Sequence, residues 1–492
     1  MLHSGAPPRG ALAGPRRVTA TVPSAHPFSR ALDRATGARP IPGNILRHIA
    51  ISDHALDAML EMIAGAQRTV HFENYIIHDD ETGRRFASAW AERARAGVRV
   101  RILYDAFGCR STSGRFWREL RSYGVDCRPF QPIWTSGPIK AFSRDHRKLL
   151  VVDGERAMTG GLCIGNEWAG DPRAGQPCWR DTMMVVCGPA VAALDAAFGR
   201  MWARAGRPLP DDETAPQPDE CGPSAVRVVE GLPGQSRIYR AVQLLAAAVT
   251  ERLWITDAYL VAPPPLYAAF VDAARSGVDV RLLLPGTSDI PIIRIFTRGG
   301  YRELLHAGAR IFEYRGPMLH AKTLLADHEW ARVGSSNLNV SSLLGNYELD
   351  LVAEHDGLTA TLATQFLHDM AQSREIVLMA RRRLPLPPKL VAAAAVNPSQ
   401  AIVQVHAAVP QHKRSLRERQ AIAVVALMQV AGGARRMVAG TAAAAFLVTG
   451  FMLVLFPIVT STVLGVGALA TSVWLAGIAF ARRRRRRESD AH

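Results

Sequence analysis

"AFSRDHRKLLVVDGERAMTGG" (141–161) and "PMLHAKTLLADHEWARVGSSN" (317–337) carry one constellation twice: a histidine, a lysine two residues on, an aspartate five beyond that, then glycine. The residues are His146, Lys148 and Asp153 in the first copy and His320, Lys322 and Asp327 in the second. The chain holds five lysines against 54 arginines, and two of the five stand in this pattern, so coincidence is a poor explanation. A chain that otherwise takes its positive charge from arginine keeps the compact ammonium here. That choice suits a point charge donating to phosphate oxygens where a guanidinium fork would not fit.

The stretches before the motifs repeat as well. "VHFENYII" (70–77) reads as a strand, "GRRFASAWAERARAG" (83–97) as a helix and "VRVRILYDAFG" (98–108) as a second strand; "RLWITDAYLV" (252–261), "PPLYAAFVDAARSG" (264–277) and "VDVRLLLPG" (278–286) give the same order. Each set continues with a helix, "GRFWRELRSYG" (114–124) or "GGYRELLHAGA" (299–309), and a short strand, "VDCRPFQP" (125–132) or "RIFEYRG" (310–316). Such a repeat predicts an α/β fold of two tandem halves, 44–206 and 225–384, with mixed, largely parallel sheets flanked by helices. Within each motif "HRKLLVVD" and "HAKTLLAD" read as strands, so the histidine and lysine, two residues apart, share a face. Asp153 and Asp327 fall at an odd offset, at the turn, where a carboxylate binds turn or backbone groups or helps position the pair.

The formal charge of +16 points to an anionic partner, and the placement of charge favours a membrane over nucleic acid. Residues 437–481 contain no charged residue, about twice the roughly 20 residues of one spanning helix, and Arg482 to Arg487 follow them directly. Pro457 and the polar group Thr460, Ser461, Thr462 divide the run into two transmembrane helices. Arg435 and Arg436 at one end and the six arginines at the other predict a hairpin with both ends in the cytoplasm and 482–492 as a basic tail. Residues 1–43 lack a continuous apolar core and read as a disordered extension. The Pro- and acid-rich stretch 207–224 reads as a linker, and 385–436 as a second one ending in an amphipathic helix. Cys109, Cys127, Cys163, Cys178, Cys187 and Cys221 show no CxxC pairs, which suits reduced thiols. Neither a metal site nor another cofactor is expected.

Displacement at a phosphodiester needs one group to attack phosphorus and another to protonate the leaving alkoxide, and two imidazoles supply both. Lysines and nearby polar groups then hold the phosphate oxygens; Ser335 and Asn337 in "GSSN" are candidates. Each imidazole also needs an acceptor on its second nitrogen. "NYELDL" offers Asn346 and Glu348, and "CWRDTMMVV" in the first half offers Asp181.

At these residues the chain resembles the phospholipase D superfamily, whose signature is a duplicated H-x-K-x4-D followed by G-S/G-x-N. "FENYIIHDDETGRRF", "GVRVRILYDAFG", "WRDT" and "GSSNLNVSSLLGNYELDL" are similar to the bacterial cardiolipin synthase branch, over about residues 44–384. The second motif matches fully; in the first, Cys163 stands where the signature has asparagine. The resemblance implies an active site where the halves meet and a phosphatidyl-histidine intermediate. Phosphatidylglycerol would be joined to a second phospholipid, phosphatidylglycerol or phosphatidylethanolamine, with release of glycerol. It implies His146 as nucleophile and His320 as acid and then base, although the two-fold site allows the reverse, and Cys163 as a core residue. A bacterial inner-membrane enzyme with its catalytic halves in the cytoplasm is expected. A hydrolytic phospholipase D and a membrane-anchored nuclease of the same superfamily are the alternatives, and nucleic acid is the less favoured partner. Oligomeric state is left open.

Overall fold

Two edge strands, β1 (Ile41–Ile51) and β8 (Ser224–Gly231), pair antiparallel and make one sheet out of two halves. The computed structural model describes residues 27–132, 143–171, 175–213 and 217–378. The first half continues with β2 (Thr69–Asn74), β3 (Arg99–Asp105), β4 (Asp126–Phe130), β5 (Lys148–Val152), β6 (Arg156–Gly160) and β7 (Arg180–Cys187). The second continues with β9 (Arg252–Thr256), β10 (Asp279–Pro285), β11 (Arg310–Tyr314), β12 (Thr323–Ala326), β13 (Trp330–Gly334), β14 (Glu348–Glu354) and β15 (Ser373–Ile376). Sheet order is β15-β11-β10-β9-β12-β13-β14-β8-β1-β7-β6-β5-β2-β3-β4. From the β1/β8 seam outward, the two sides present seven equivalent strands in equivalent order, with β15 added at the outer edge of the second, so the repeat read in the sequence is a repeat of topology.

The expectation of largely parallel sheets in separate halves is corrected. Only β2, β3 and β4, and their counterparts β9, β10 and β11, run parallel, because among sheet neighbours only these are consecutive strands joined by a helix of 9 or more residues. The motif strands turn straight back: β5 pairs antiparallel with β6, and β12 with β13, across three-residue turns that begin at Asp153 and Asp327. Both aspartates adopt left-handed backbone, φ 56° and 49°, a conformation aspartate tolerates better than most residues. Every pairing from β5 through the seam to β12 is antiparallel.

Burial on one face of the sheet is shared between the halves. Leu149 and Val151 of β5, Met184 and Val186 of β7, and Leu349 and Leu351 of β14 form one apolar core with helices 190–204 and 356–371. Asn44 of β1 fixes the seam, donating to the Ser224 carbonyl at 3.3 Å and accepting from the Ala190 amide at 2.8 Å.

Two boundary expectations change. Residues 27–43 are ordered, not part of a disordered extension: helix 27–36 buries Leu32, and Asp33 pairs at 2.8 Å with Arg227, a fully buried guanidinium that needs carboxylate partners. The acid-rich linker 207–224 is anchored, because Glu213 is buried against Arg101 and lies 3.7 Å from His71. The stretches expected to form a transmembrane hairpin (437–481), an amphipathic helix (within 385–436) and a basic tail (482–492) lie outside the described residues. Among the described residues no helix is long and apolar enough to cross a membrane.

Asp153 accepts from the backbone amides of Gln67, Arg68 and Thr69 at 2.9, 2.7 and 2.9 Å. Asp153→Ala should therefore lower the unfolding free energy by about 1–2 kcal/mol in a denaturant titration. Asp153→Asn, which keeps one acceptor oxygen and tolerates the left-handed backbone, should cost less.

Candidate active site

Each motif places its histidine just before a strand and its lysine at or beside the strand's first residue, with the aspartate at the far end. Lys148 and Asp153 are five residues apart, roughly 16 Å along an extended chain, so the aspartates lie away from the histidines. Asp327 repeats the role of Asp153 and accepts from the amides of Thr250, Glu251 and Arg252. The other motif residues converge.

The convergence is made by backbone that crosses between halves. His146 donates its amide to the Tyr347 carbonyl at 2.9 Å, and the Tyr347 amide returns to the Arg144 carbonyl at 2.8 Å. In the same way the Arg180 amide reaches the Met318 carbonyl at 2.9 Å and the His320 amide reaches the Arg180 carbonyl at 2.7 Å. Tyr347 precedes Glu348 and Arg180 precedes Asp181, so each bridge delivers a carboxylate from the opposite half. His146 Nδ1 lies 3.0 Å from Glu348 Oε2, and His320 Nδ1 lies 2.7 Å from Asp181 Oδ2. The sequence offered both carboxylates without deciding which histidine each serves; the pairing is crossed.

All four groups are buried, with His146 9% and His320 4% exposed. Burial, reinforced by the Lys322 ammonium, pushes His320 down to about 4, against the pull of Asp181. Burial also lowers His146, and Glu348 only partly offsets it. Burial alone would raise the Asp181 and Glu348 carboxyls, but the partner histidine and the site lysines outweigh it and leave both below their ordinary values. Near neutral pH each site is therefore an uncharged imidazole donating Nδ1–H to a carboxylate, which leaves the Nε2 lone pair available.

Lys148 and Lys322 are buried, and each ammonium donates to the carbonyl of its own motif histidine. Burial brings Lys322 down to about 8, partly countered by Asp181 and Asp257. Of the other expected residues, Ser335 donates to Glu348 and accepts from the Leu349 amide, so it secures the carboxylate. The buried Asn337 has a side-chain oxygen with no partner among the described residues. Asn346 accepts from the Arg144 amide at 3.3 Å, bracing the loop before His146. Cys163, at the position matching Asn337, is buried in the first half's core.

Sequence reasoning passed over the aromatic wall. The Tyr75 ring meets His146 edge-on at 4.9 Å between centroids with Lys148 Nζ 5.2 Å from it, and Tyr259 stands 5.8 Å from His320 and 5.9 Å from Lys322. Trp168 and Trp179 close the other side of His320, at 5.9 and 5.8 Å. A signal was there: both repeats follow their first motif-side strand with a tyrosine and two aliphatic residues, "YII" at 75–77 and "YLV" at 259–261.

Comparison with known proteins gives the family. Residues 59–170 and 242–370 match the family described as "Cardiolipin synthase, PLD-like domain". The chain is 34% identical over 359 residues to cardiolipin synthase A of Pseudomonas aeruginosa, covering 72% of each protein. It is 34% identical over 345 residues to the cardiolipin synthase of Geobacillus thermodenitrificans, covering 68% of each. The crystal structure of phosphatidylserine synthase from Haemophilus influenzae Rd KW20 superposes with a TM-score of 0.58 at 14% identity, over 76% of this chain and 99% of that one, a likeness of fold.

Asp181→Asn keeps the shape of the pair but removes the charge that orients and stabilises His320. Turnover should fall by about two to four orders of magnitude with the unfolding midpoint little changed, and Glu348→Gln should do the same through His146.

Proposed function

The chain belongs to the cardiolipin synthase, PLD-like family, and on that premise we propose that it joins phosphatidylglycerol to the glycerol hydroxyl of a second phospholipid and releases glycerol. It is a phosphatidyltransferase of phospholipid metabolism. The observation that carries the mechanism is the pair of buried histidines, each with Nδ1 on a carboxylate and Nε2 left free.

In the proposed reaction the anionic phosphodiester binds with uptake of one proton from solvent at His320 Nε2; His146 Nε2 then attacks phosphorus, the P–O bond to glycerol breaks, and His320 gives that proton to the departing alkoxide. A second lipid then enters; His320 takes the proton of its hydroxyl, the new oxygen attacks phosphorus, and the P–N bond returns its electrons to His146. The buried carboxylates stabilise each imidazolium as it forms. The phosphodiester anion also raises the proton affinity of the histidine acting as acid, against the burial that lowers it. Lys148, Lys322 and the amide of Asn337 are the groups proposed to take the non-bridging oxygens. The two-fold arrangement also accommodates His320 as nucleophile. Hydrolysis uses the same intermediate with water as acceptor, and the aromatic wall around His320 is what would keep water out. Attachment by the uncharged run 437–481, with the catalytic halves on the cytoplasmic side, is the topology that the flanking arginines favour.

Membranes containing the protein, incubated with acyl-labelled phosphatidylglycerol, should yield labelled cardiolipin, and none with His146→Ala or His320→Ala. Labelled phosphatidic acid alone would assign the protein to the hydrolases. The Lys322 ammonium is charged below about 8 and loses its proton above it, so kcat/KM should fall as pH rises through that value. Lys322→Arg should abolish that alkaline limb while lowering the rate overall, because a guanidinium cannot occupy the ammonium's space.

A further inference from the structure

Helix 291–307 begins well before its sequence signal at 299, and its extra first turns are apolar on the outside. Ile290, Ile292 and Ile295 are 41, 48 and 52% exposed. Single exposed aliphatic residues need no explanation, but three within six residues form a patch. Nothing in the sheet or the cores requires them there.

The patch is tied to the catalytic centre through Tyr259. Its hydroxyl donates to Asp289 at 2.8 Å, its ring packs in a cluster with Ile293 and Met318, and the same ring stands against His320. The Tyr259 carbonyl accepts from the Asn339 side chain (Nδ2) at 3.2 Å, and the next residue, Val340, is 55% exposed. Two segments with bare aliphatic side chains thus converge on one residue of the site. Cations interleave with them: Arg298 is paired with Glu313 at 2.6 Å, Arg294 is half-buried with its charge acting on Glu313 and Tyr301, and Arg302 is exposed with no ion-pair partner among the described residues. Aliphatic side chains beside the exposed Arg302 match the boundary between headgroups and acyl chains of an anionic bilayer.

We infer that residues 289–296, with Val340 and Arg302, seat the catalytic centre on an anionic phospholipid bilayer, the isoleucines entering the acyl boundary and Arg302 meeting headgroup phosphate. The inference rests on the lipid-substrate reading and extends it. With both histidines buried, a phosphodiester held at a bilayer surface reaches Nε2 only if the rim of the site meets that surface, and this rim is apolar.

The test uses the full chain in vesicles of phosphatidylglycerol and phosphatidylcholine. A polarity-sensitive fluorophore is placed by Ile292→Cys in a Cys178→Ser/Cys187→Ser/Cys221→Ser background. Nitroxide on the lipid acyl chains should quench the label and aqueous iodide should not. A label open to iodide and blind to the nitroxide would overturn the inference. So would iodide protection that persists in detergent and grows with protein concentration, which would give the face to a second copy of the chain. No turnover enters this readout, so it decides the inference even if phosphatidylglycerol proves not to be the substrate. A second arm compares substrates: Ile292→Glu/Ile295→Glu should raise KM for vesicle lipid about tenfold, as expected from losing two inserted aliphatic side chains, and leave turnover of monomeric short-chain phosphatidylglycerol within about twofold. Equal losses on both substrates would mean that the segment props the site rather than meeting the membrane.

Discussion

Each motif imidazole is held by a carboxylate that belongs to the other half of the chain. A histidine with a free Nε2 lone pair needs its Nδ1–H held, and here the holder arrives on a strand of the opposite repeat, Glu348 on β14 and Asp181 on β7. Neither half contains a complete site. The rest of the architecture follows from that requirement: β1 and β8 are paired edge to edge, the cores merge across the seam, and backbone hydrogen bonds cross beside each carboxylate. Backbone bonds fix position to tenths of an ångström where side-chain packing alone would allow drift, and acid–base chemistry is sensitive to drift of that size.

Two histidines, two lysines and two carboxylates share a dry site, which sets their charge states. The desolvation that makes the imidazoles neutral and brings Lys322 to about 8 would also strengthen the ammonium's proposed hold on a phosphate oxygen, since its field is little screened there. The aspartates of the motif play no part in this balance. They sit at the far ends of β5 and β12, where each gathers three consecutive backbone amides and fixes the turn that reverses the chain. The spacing of histidine, lysine and aspartate combines a chemical pair with a folding device that points the pair inward.

Much of this was legible in the sequence because repetition removes ambiguity. One strand-helix-strand series would have been a weak sign; two, each ending in the same rare lysine pattern, located both halves and both histidine–lysine pairs. Glu348 and Asp181 were visible as acceptors, but their crossing was not, since a pattern along the chain does not say which distant segment folds against it. The sheet was read as largely parallel because alternating strands and helices dominate the early part of each repeat. The reversals hang on short turns at Asp153 and Asp327. Helix 27–36 was missed because its surroundings are rich in Pro, Ala and Arg, and because the reason for its order, the buried Arg227, is about two hundred residues away.

The halves are equivalent in topology and unequal in chemistry, which bears on how a two-fold site runs a two-step reaction. Beside Lys322 stands Asp257, brought up to about 6 by burial although the amides of Leu338 and Tyr259 bond to it. Asn337 supplies an amide on that side, where the first half has the buried, apolar Cys163. Trp168 and Trp179 crowd His320, while His146 meets Tyr75. A phosphate between the halves therefore finds polar support mainly from the second, and the two imidazoles face different surroundings. In the proposed double displacement glycerol leaves and the second lipid attacks on one side of phosphorus, beside the acid–base histidine, while the nucleophile occupies the other; these departures from symmetry would give those two sides separate environments.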